Sequence, residues 1–528
     1  MKKFRILSAF LECSSGMTPR VQTIKDYIDV LSKLGYDRLY LGLAGAYKID
    51  TEPYFAYKKG KYTVAQLQKL DSYAQEKGIE LVANIQTLAH LDFLSDHDAY
   101  REYMDTSATL MVGEPRVYAL IEKMFATISQ GLSTRRIHIG FDEAFGIGTG
   151  KFLQKYGYRD GKSLVLEHLQ KVAAIAEKYG YTCEMWGDML TGKYRTNVTP
   201  EQIQAAIPKN TSVVYWNYDD KDEMLISEKL EKVKQYAEDI AYAGNAWKIA
   251  SFAPNNLNSI DTLLPQMKVC SEKGITHYMV TIWADGCSPC GWYSILPTLF
   301  IASEYNNGGY EIGGEINKEK FFQLFEAKYD DFILLDFLDE PFKKVCLKRR
   351  NTSFCIFYDD LLLGNYETML PSGIADKYAE IAEEYAKVKS GKYQYIFKKQ
   401  EALARVLCLK AGLATKIRTA YGNGDRPLMR ELCKTVELLI ERLKCFIEVF
   451  DEFFVHDNVV LGVECNQQRF GGQLVRYGYV LKQMQEYVEH GKAIEELEDE
   501  FLSPSWEPMP IYGGCLWYYY KNLISYNM

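Results

Sequence analysis

Asp142 and Glu143 stand side by side in "RRIHIGFDEAFGIG", residues 135–148, where an apolar run gives way to glycines. Two adjacent carboxylates do not suit a strand interior, because successive side chains point to opposite faces and one would enter the core. The end of a strand, opening into a loop, accommodates both. A helix cap or a salt bridge is the plain alternative. The chemistry open to such a pair is proton transfer, and glycoside hydrolysis is one reaction that uses it. That reaction needs an acid to protonate the leaving oxygen and a second group at the anomeric carbon. Neighbours in sequence do not naturally bracket one glycosidic bond from opposite sides. Either Glu143 pairs with a carboxylate of another strand, such as Glu184 or Asp285, or the second group belongs to the substrate. A 2-acetamido sugar carries an amide oxygen that can attack its own anomeric carbon. Asp142 would then orient and polarise that amide while Glu143 handles the proton.

Other residues able to join such chemistry recur at the ends of apolar runs: Glu12; Gln86, His90 and Asp92; His138; Glu184, Trp186 and Asp188; Trp216, Asn217 and Tyr218; Asn245 and Trp247; Trp283 and Asp285. Acids beside indoles suit a sugar, since aromatic side chains offer flat apolar faces with a polar handle. The 40 tyrosines and seven tryptophans supply such faces, although tyrosine also fills ordinary cores. A general acid working near neutral pH needs a raised pKa, which burial and a neighbouring carboxylate provide. "CSPC" at Cys287–Cys290 is one CxxC with no second pair near it, and reads as two loop thiols rather than a zinc or redox centre. No metal set is complete, and the chemistry calls for neither a metal nor a cofactor.

Such a rim needs a scaffold. Apolar runs at 4–10, 37–43, 79–85, 135–141, 181–187, 211–218, 239–245 and 275–284 alternate with helical stretches. The stretches carry start and stop signals, such as Thr18, Pro19 and Gly35, or Thr63 and Gly78. Eight strand-then-helix units in about 300 residues predict parallel pairing and an α/β fold, a closed (β/α)8 TIM barrel, with a doubly wound sheet as the alternative. Barrel enzymes act at the carboxyl ends of their strands, where the acids and indoles fall. Beyond residue 310 the pattern turns mostly helical, with long amphipathic stretches. The expected organisation is a catalytic barrel over 1–310 and a mainly α-helical domain over 311–528. The helical half is open to three roles: the surface of a homodimer, a lid or a plain support. The last 28 residues, aromatic and broken by Pro and Gly, are expected to pack back on the body.

Composition narrows the partners. A net charge of −8 over 528 residues offers no basic surface to nucleic acid or to an anionic membrane. No run of 18 apolar residues predicts a membrane span. The start "MKKFRILSAFLEC" is interrupted by Glu12 and lacks a clean cleavage site, so no secretory signal is expected. Twelve scattered cysteines read as reduced thiols, and the expectation is a cytoplasmic protein.

"HIGFDEAFGIG" resembles the His-x-Gly-x-Asp-Glu signature of glycoside hydrolase family 20, the β-N-acetylhexosaminidases. "EPYFAYKKGKYTVAQLQKLDSYAQEKGIELVANIQTLAHL" and "TIWADG" are similar to that family's segments between the second and third strands and near the last strand, so the resemblance spans residues 4–305. It implies exo-acting removal of terminal β-linked GlcNAc or GalNAc, with retention and with help from the substrate's amide. Glu143 would be the acid and then the base, and Asp142 would hold the acetamido nitrogen. Arg20 looks like the arginine gripping the outer hydroxyls, and Asp285 like its acidic partner. Trp186, Trp216 and Trp283 resemble the indoles walling the pocket, and His90 and His138 the histidines supporting the acid. Tyr242 and Tyr218 are the candidates for the tyrosine that donates to the acetamido oxygen, with Asn245 in a neighbouring role. The competing expectations are a retaining β-glycosidase with a protein carboxylate as nucleophile, and a catalytically inactive sugar-binding barrel.

Overall fold

A computed structural model describes residues 2–192, 196–343, 351–364 and 366–500. The expectation that the last residues pack on the body falls on 501–528, outside the described residues. Eight strands, β1 (Ile6–Glu12), β2 (Arg38–Gly42), β3 (Glu80–Asn84), β4 (Arg136–His138), β5 (Thr182–Trp186), β6 (Thr211–Trp216), β7 (Ile240–Asn245) and β8 (His277–Ile282), close into a barrel in chain order. Every neighbouring pair is parallel, and β8 returns to β1. The (β/α)8 barrel and the helical region after it are as the sequence predicts.

Helices between the strands carry the signals that define them. Thr63 and Gln66 form a reciprocal capping box at the start of Val64–Glu76, satisfying amide donors that the first turn leaves unpaired. Gly35 ends Val21–Leu34 in the left-handed conformation and returns its N–H to the last turn. That helix starts later than Thr18 and Pro19 suggest. Arg20 is its N-cap, and Thr18 instead donates its hydroxyl to the Cys13 carbonyl at 2.8 Å.

The lumen is layered. Toward the amino ends of the strands lies an ionic layer: Arg38 meets Glu80, and Glu184 Oε1 accepts from Arg136 at 3.1 Å and lies 3.8 Å from Arg38. Above it sit Phe10, Tyr40, Val82, Trp186, Val214, Ala241, Ala243 and Met279, all buried. Glu184 is buried, and its charge is balanced there by the two arginines.

Clustering of contacts divides the chain into two units. One runs to Ala246 and includes Ser259–Trp283 and Leu299–Ile316; the other holds Trp247–Asn258, Ala284–Thr298 and the residues from Asn317 onward. Inside the second unit Phe252 packs its ring against Phe357, Phe446 and Phe470, which draws the segment after β7 into a core built on the long helices Arg426–Asp457 and Val463–His490. Lys399, fully buried, donates to the carbonyls of Phe252 at 2.9 Å and Pro289 at 3.0 Å. Asp336 accepts from Asn256 Nδ2 at 3.0 Å and from the Leu257 N–H at 2.8 Å.

Burial pushes the Asp336 carboxyl up to about 8 and that of Asp339 up to about 7. In the unfolded chain both titrate near ~4. Between these values the folded protein binds more protons than the unfolded chain, so this stability is complete below pH ~4, falls steadily as pH rises, and is gone once pH has passed through the folded values of about 7 and about 8. The expected result is a melting temperature that falls from pH 5 to pH 8, and falls less steeply in the Asp336→Asn variant. An equal slope in both proteins would count against it.

Candidate active site

β4 is three residues long, although the apolar run through it is longer, because the chain leaves the sheet at once. Gly140 (φ +77°), Phe141 (φ +80°) and Glu143 (φ +51°) all take left-handed backbone. Gly140 is required there for a second reason. A Cβ on it would collide with Gln86 Oε1 and stand 3.2 Å from the Ile85 carbonyl oxygen. Its absence lets Gln86, just past β3, come alongside and donate from Nε2 to Asp142 Oδ1 at 2.9 Å. Glu143 is fixed by its backbone: its N–H donates to Asp188 Oδ2 at 2.9 Å, and its carbonyl accepts from the Phe145 N–H at 2.7 Å.

His90, also left-handed at φ +54°, reaches over both acids. Its Nε2 lies 3.2 Å from Asp142 Oδ2 and 3.6 Å from Glu143 Oε2. The Asp142 side chain is 14% exposed and that of Glu143 39%, so the second is open to an incoming molecule. The two carboxyls are driven apart electrostatically. Burial disfavours the Asp142 anion, yet the hydrogen bond and charge of His90 and the Gln86 donor outweigh it and hold the group below the usual carboxylate range. Burial raises Glu143, His90 opposes, and the neighbouring Asp142 adds to the rise. Environments that shift two neighbouring carboxyls in opposite directions are what separate acid from partner in a two-carboxyl site.

The aromatic side chains are linked to this pair. Asp188, two residues past the last of β5, accepts from Trp216 Nε1 at 3.2 Å with its other oxygen. Trp216 stacks on Tyr218 at 5.1 Å between centroids and 25° between planes, and Trp283 Nε1 donates to the Tyr218 hydroxyl at 3.0 Å. Trp283 lies 5.8 Å from Trp186, which is 4.5 Å from the His138 ring. Trp216 and Trp283 are half-buried and keep part of their surface open, whereas Trp186 is buried. The Trp186 Nε1 and Asn245 Nδ2 atoms are buried with no protein partner among the described residues.

The structure therefore brings Asp142, Glu143, His90, Trp216 and Trp283 together with Trp186 and His138 behind them. His138 Nδ1 accepts from the Gly140 N–H at 3.2 Å and pairs with Asn84 Nδ2 at 2.8 Å, so its proton sits on Nε2. Burial pushes it down to about 3 against the pull of Asp142, and it is a neutral prop of the turn. Asn245 shares the inward parity of Ala241 and Ala243 and takes a hydrogen bond from Thr281 Oγ1 at 3.2 Å. Tyr242 does not join the group. It faces the other side of the sheet, stacked on Tyr278 at 5.6 Å and edge-on to Tyr215 at 5.4 Å. Residues 242 and 245 are three apart and cannot both face the lumen of one strand. Glu184 is bound in the ionic layer, two residues before Trp186. Arg20 is exposed at the start of Val21–Leu34, and Asp285 belongs to the Ala284–Thr298 segment of the second unit. Sequence reasoning placed Gln86 and Asp188 at strand ends without giving either a role. The available signal for Asp188 is its position just past the carboxyl end of a barrel strand, where the chemistry of such barrels gathers. No group of three or more His, Cys, Asp or Glu able to hold a metal occurs among the described residues.

Comparison with known proteins gives matches along both halves of the chain. Residues 21–242 match the catalytic domain of glycosyl hydrolase family 20, and residues 330–508 match the glycoside hydrolase 20C C-terminal domain. Hexosaminidase D of Homo sapiens is 25% identical over 214 residues, 38% of this chain and 43% of that protein. Hexosaminidase D of Bos taurus is 22% identical over 257 residues, 47% of this chain and 73% of that protein. The matched stretch thus spans less than half the length of the human relative. Among solved structures, a β-N-acetylhexosaminidase from Bacteroides fragilis aligns with TM-score 0.46 at 16% identity, over 61% of this chain and 69% of that one. An exo β-N-acetylglucosaminidase from Vibrio harveyi aligns with TM-score 0.46 at 15% identity, over 61% and 57%.

Proposed function

We propose, from the premise that this chain belongs to glycoside hydrolase family 20, that it is an exo-acting β-N-acetylhexosaminidase that removes terminal β-linked GlcNAc or GalNAc with retention of configuration. The observation that carries the reading is the pairing, under one histidine, of Asp142, held below the usual carboxylate range, with Glu143, raised above it. The anion attracts the acetamido N–H and raises the electron density of the amide oxygen. That oxygen attacks the anomeric carbon as the glycosidic bond breaks, and Glu143 gives its proton to the departing oxygen. The resulting oxazolinium ion is stabilised by the same Asp142 charge. A water then loses a proton to Glu143 and opens the ring at the anomeric carbon, which restores the acid and the configuration. Trp216 and Trp283 supply apolar faces for the sugar, and Tyr218, whose hydroxyl accepts from Trp283 beside those faces, is the proposed donor to the acetamido oxygen. Arg20 remains the proposed contact for the outer hydroxyls. Glu184 is a poor nucleophile, because two arginines already hold it. A reducing compartment completes the reading, supported by the free thiols of the described cysteines.

The test is turnover of matched aryl β-glycosides of GlcNAc, GalNAc and glucose, with release of the terminal sugar alone. Hydrolysis of the acetamido substrates and not of glucose is expected. Binding without turnover of any of them would favour the inactive barrel.

The histidine sets the working pH. Asp142 must be ionised and Glu143 protonated, which gives a bell-shaped profile. His90 lowers both groups, through a hydrogen bond and charge at Asp142 and through charge at Glu143. His90→Phe is therefore expected to move both limbs of the kcat/KM profile, which reports the free enzyme's groups, to higher pH. A profile that stays in place or moves to lower pH would contradict the placement.

A further inference from the structure

We propose that Asp188 is a positioning residue that couples the proton donor to the wall of the sugar pocket, by tying the Glu143 backbone to the Trp216 indole through its two carboxylate oxygens. The inference rests on the hexosaminidase reading and extends it to a residue that the reaction itself does not touch. Glu143 holds φ +51°, a region that non-glycine residues rarely occupy and that persists only where surrounding contacts impose it. The contact that holds its amide is Asp188 Oδ2 at 2.9 Å. The other oxygen, Oδ1, takes the Trp216 N–H at 3.2 Å. From Trp216 the chain of contacts continues by stacking to Tyr218 and by a hydrogen bond to Trp283. A sugar lying against these rings thus presses on the same group that fixes the acid. Burial and the charge of Asp142 push the carboxyl up to about 7, against the opposing pull of its two N–H donors.

Asparagine is not equivalent here. Both oxygens of Asp188 accept from N–H donors, and an amide has one oxygen, so in Asp188→Asn one donor faces an NH2 group. A displaced Glu143 is felt where the leaving group needs a proton and little where it does not. The experiment measures kcat and KM on two GlcNAc β-glycosides, one with a dinitrophenyl leaving group and one with methylumbelliferyl, for wild type, D188N, W216F and the double variant. Wild-type turnover comes first: if neither substrate is hydrolysed, the hexosaminidase reading fails and this role falls with it. Given turnover, D188N is expected to lose roughly 10- to 100-fold in kcat on the methylumbelliferyl substrate, the range for a lost hydrogen bond to a charged group, and much less on the dinitrophenyl one. In the W216F background the second donor is gone, the Asn oxygen is free to serve Glu143, and D188N should add little. Equal losses on both leaving groups, or losses that simply multiply in the double variant, would overturn the proposal. Should D188N fail to fold, W216F alone decides. A kcat loss that depends on the leaving group supports the tie, and a KM change identical for both substrates overturns it.

Discussion

E143Q is expected to fold, to bind the product sugar, and to lose ~10²–10⁴-fold in turnover on substrates with poor leaving groups. Glutamine keeps the shape of Glu143 and has no proton to give at the energy required. The backbone contact to Asp188 and the turn closed by Phe145 do not involve the carboxyl, so the fold around it should persist. Because the lost step is protonation of the leaving oxygen, the deficit should shrink sharply when a dinitrophenyl group departs unaided, and deglycosylation should then become the slow step. The measurement is a pair of Michaelis curves on good and poor leaving groups together with a binding constant for GlcNAc. Near wild-type kinetics on the poor leaving group would defeat the assignment of Glu143.

The second large effect is expected at Asp142. D142N should lose roughly 10²–10³-fold in kcat on acetamido substrates, the size typical for removal of one group aimed at developing charge. Two causes act together. The amide cannot stabilise the positive oxazolinium nitrogen. It also offers one oxygen to two neighbours, Gln86 Nε2 at 2.9 Å and His90 Nε2 at 3.2 Å, where the carboxylate offered one to each. The loss should be specific to the amide: a 2-hydroxy analogue, already a very poor substrate for wild type, should be scarcely slower with D142N. Equal losses on both sugars would show that Asp142 serves general stability instead.

Much of this arrangement is written in short-range pattern. The eight apolar runs and the helices between them specify the barrel because the runs are buried on both faces and helices such as Val64–Glu76 carry their own start signals. The rim follows, because the carboxyl ends of the strands are then known. What escapes the pattern is backbone that leaves it. The apolar run around β4 reads as a seven-residue strand, yet left-handed backbone from Gly140 onward ends it after three residues. That early exit is what presents Asp142 and Glu143 together. Gln86 reaches Asp142 across 56 positions of sequence, through a gap opened by the missing Cβ of Gly140, and no local signal announces such a contact. Tyr242 is a different case. Its parity with Asn245 was countable in the sequence and already excluded one of the two from the lumen. The segments after β7 and β8 cluster with the helical unit through Phe252, Lys399 and Asp336, which are contacts between distant parts of the chain.

The account stands on the substrate's amide as the attacking group, and one series of compounds tests it directly. The same aryl β-glycoside is prepared with an acetyl, fluoroacetyl, difluoroacetyl or trifluoroacetyl group on the 2-amino nitrogen, and kcat/KM is measured for each with the wild-type enzyme. Each fluorine drains electron density from the amide oxygen while changing its size little. If that oxygen forms the bond to the anomeric carbon, kcat/KM falls steeply and steadily along the series. A flat series would mean that a protein carboxylate attacks instead, and would contradict the roles given to Asp142 and Glu143.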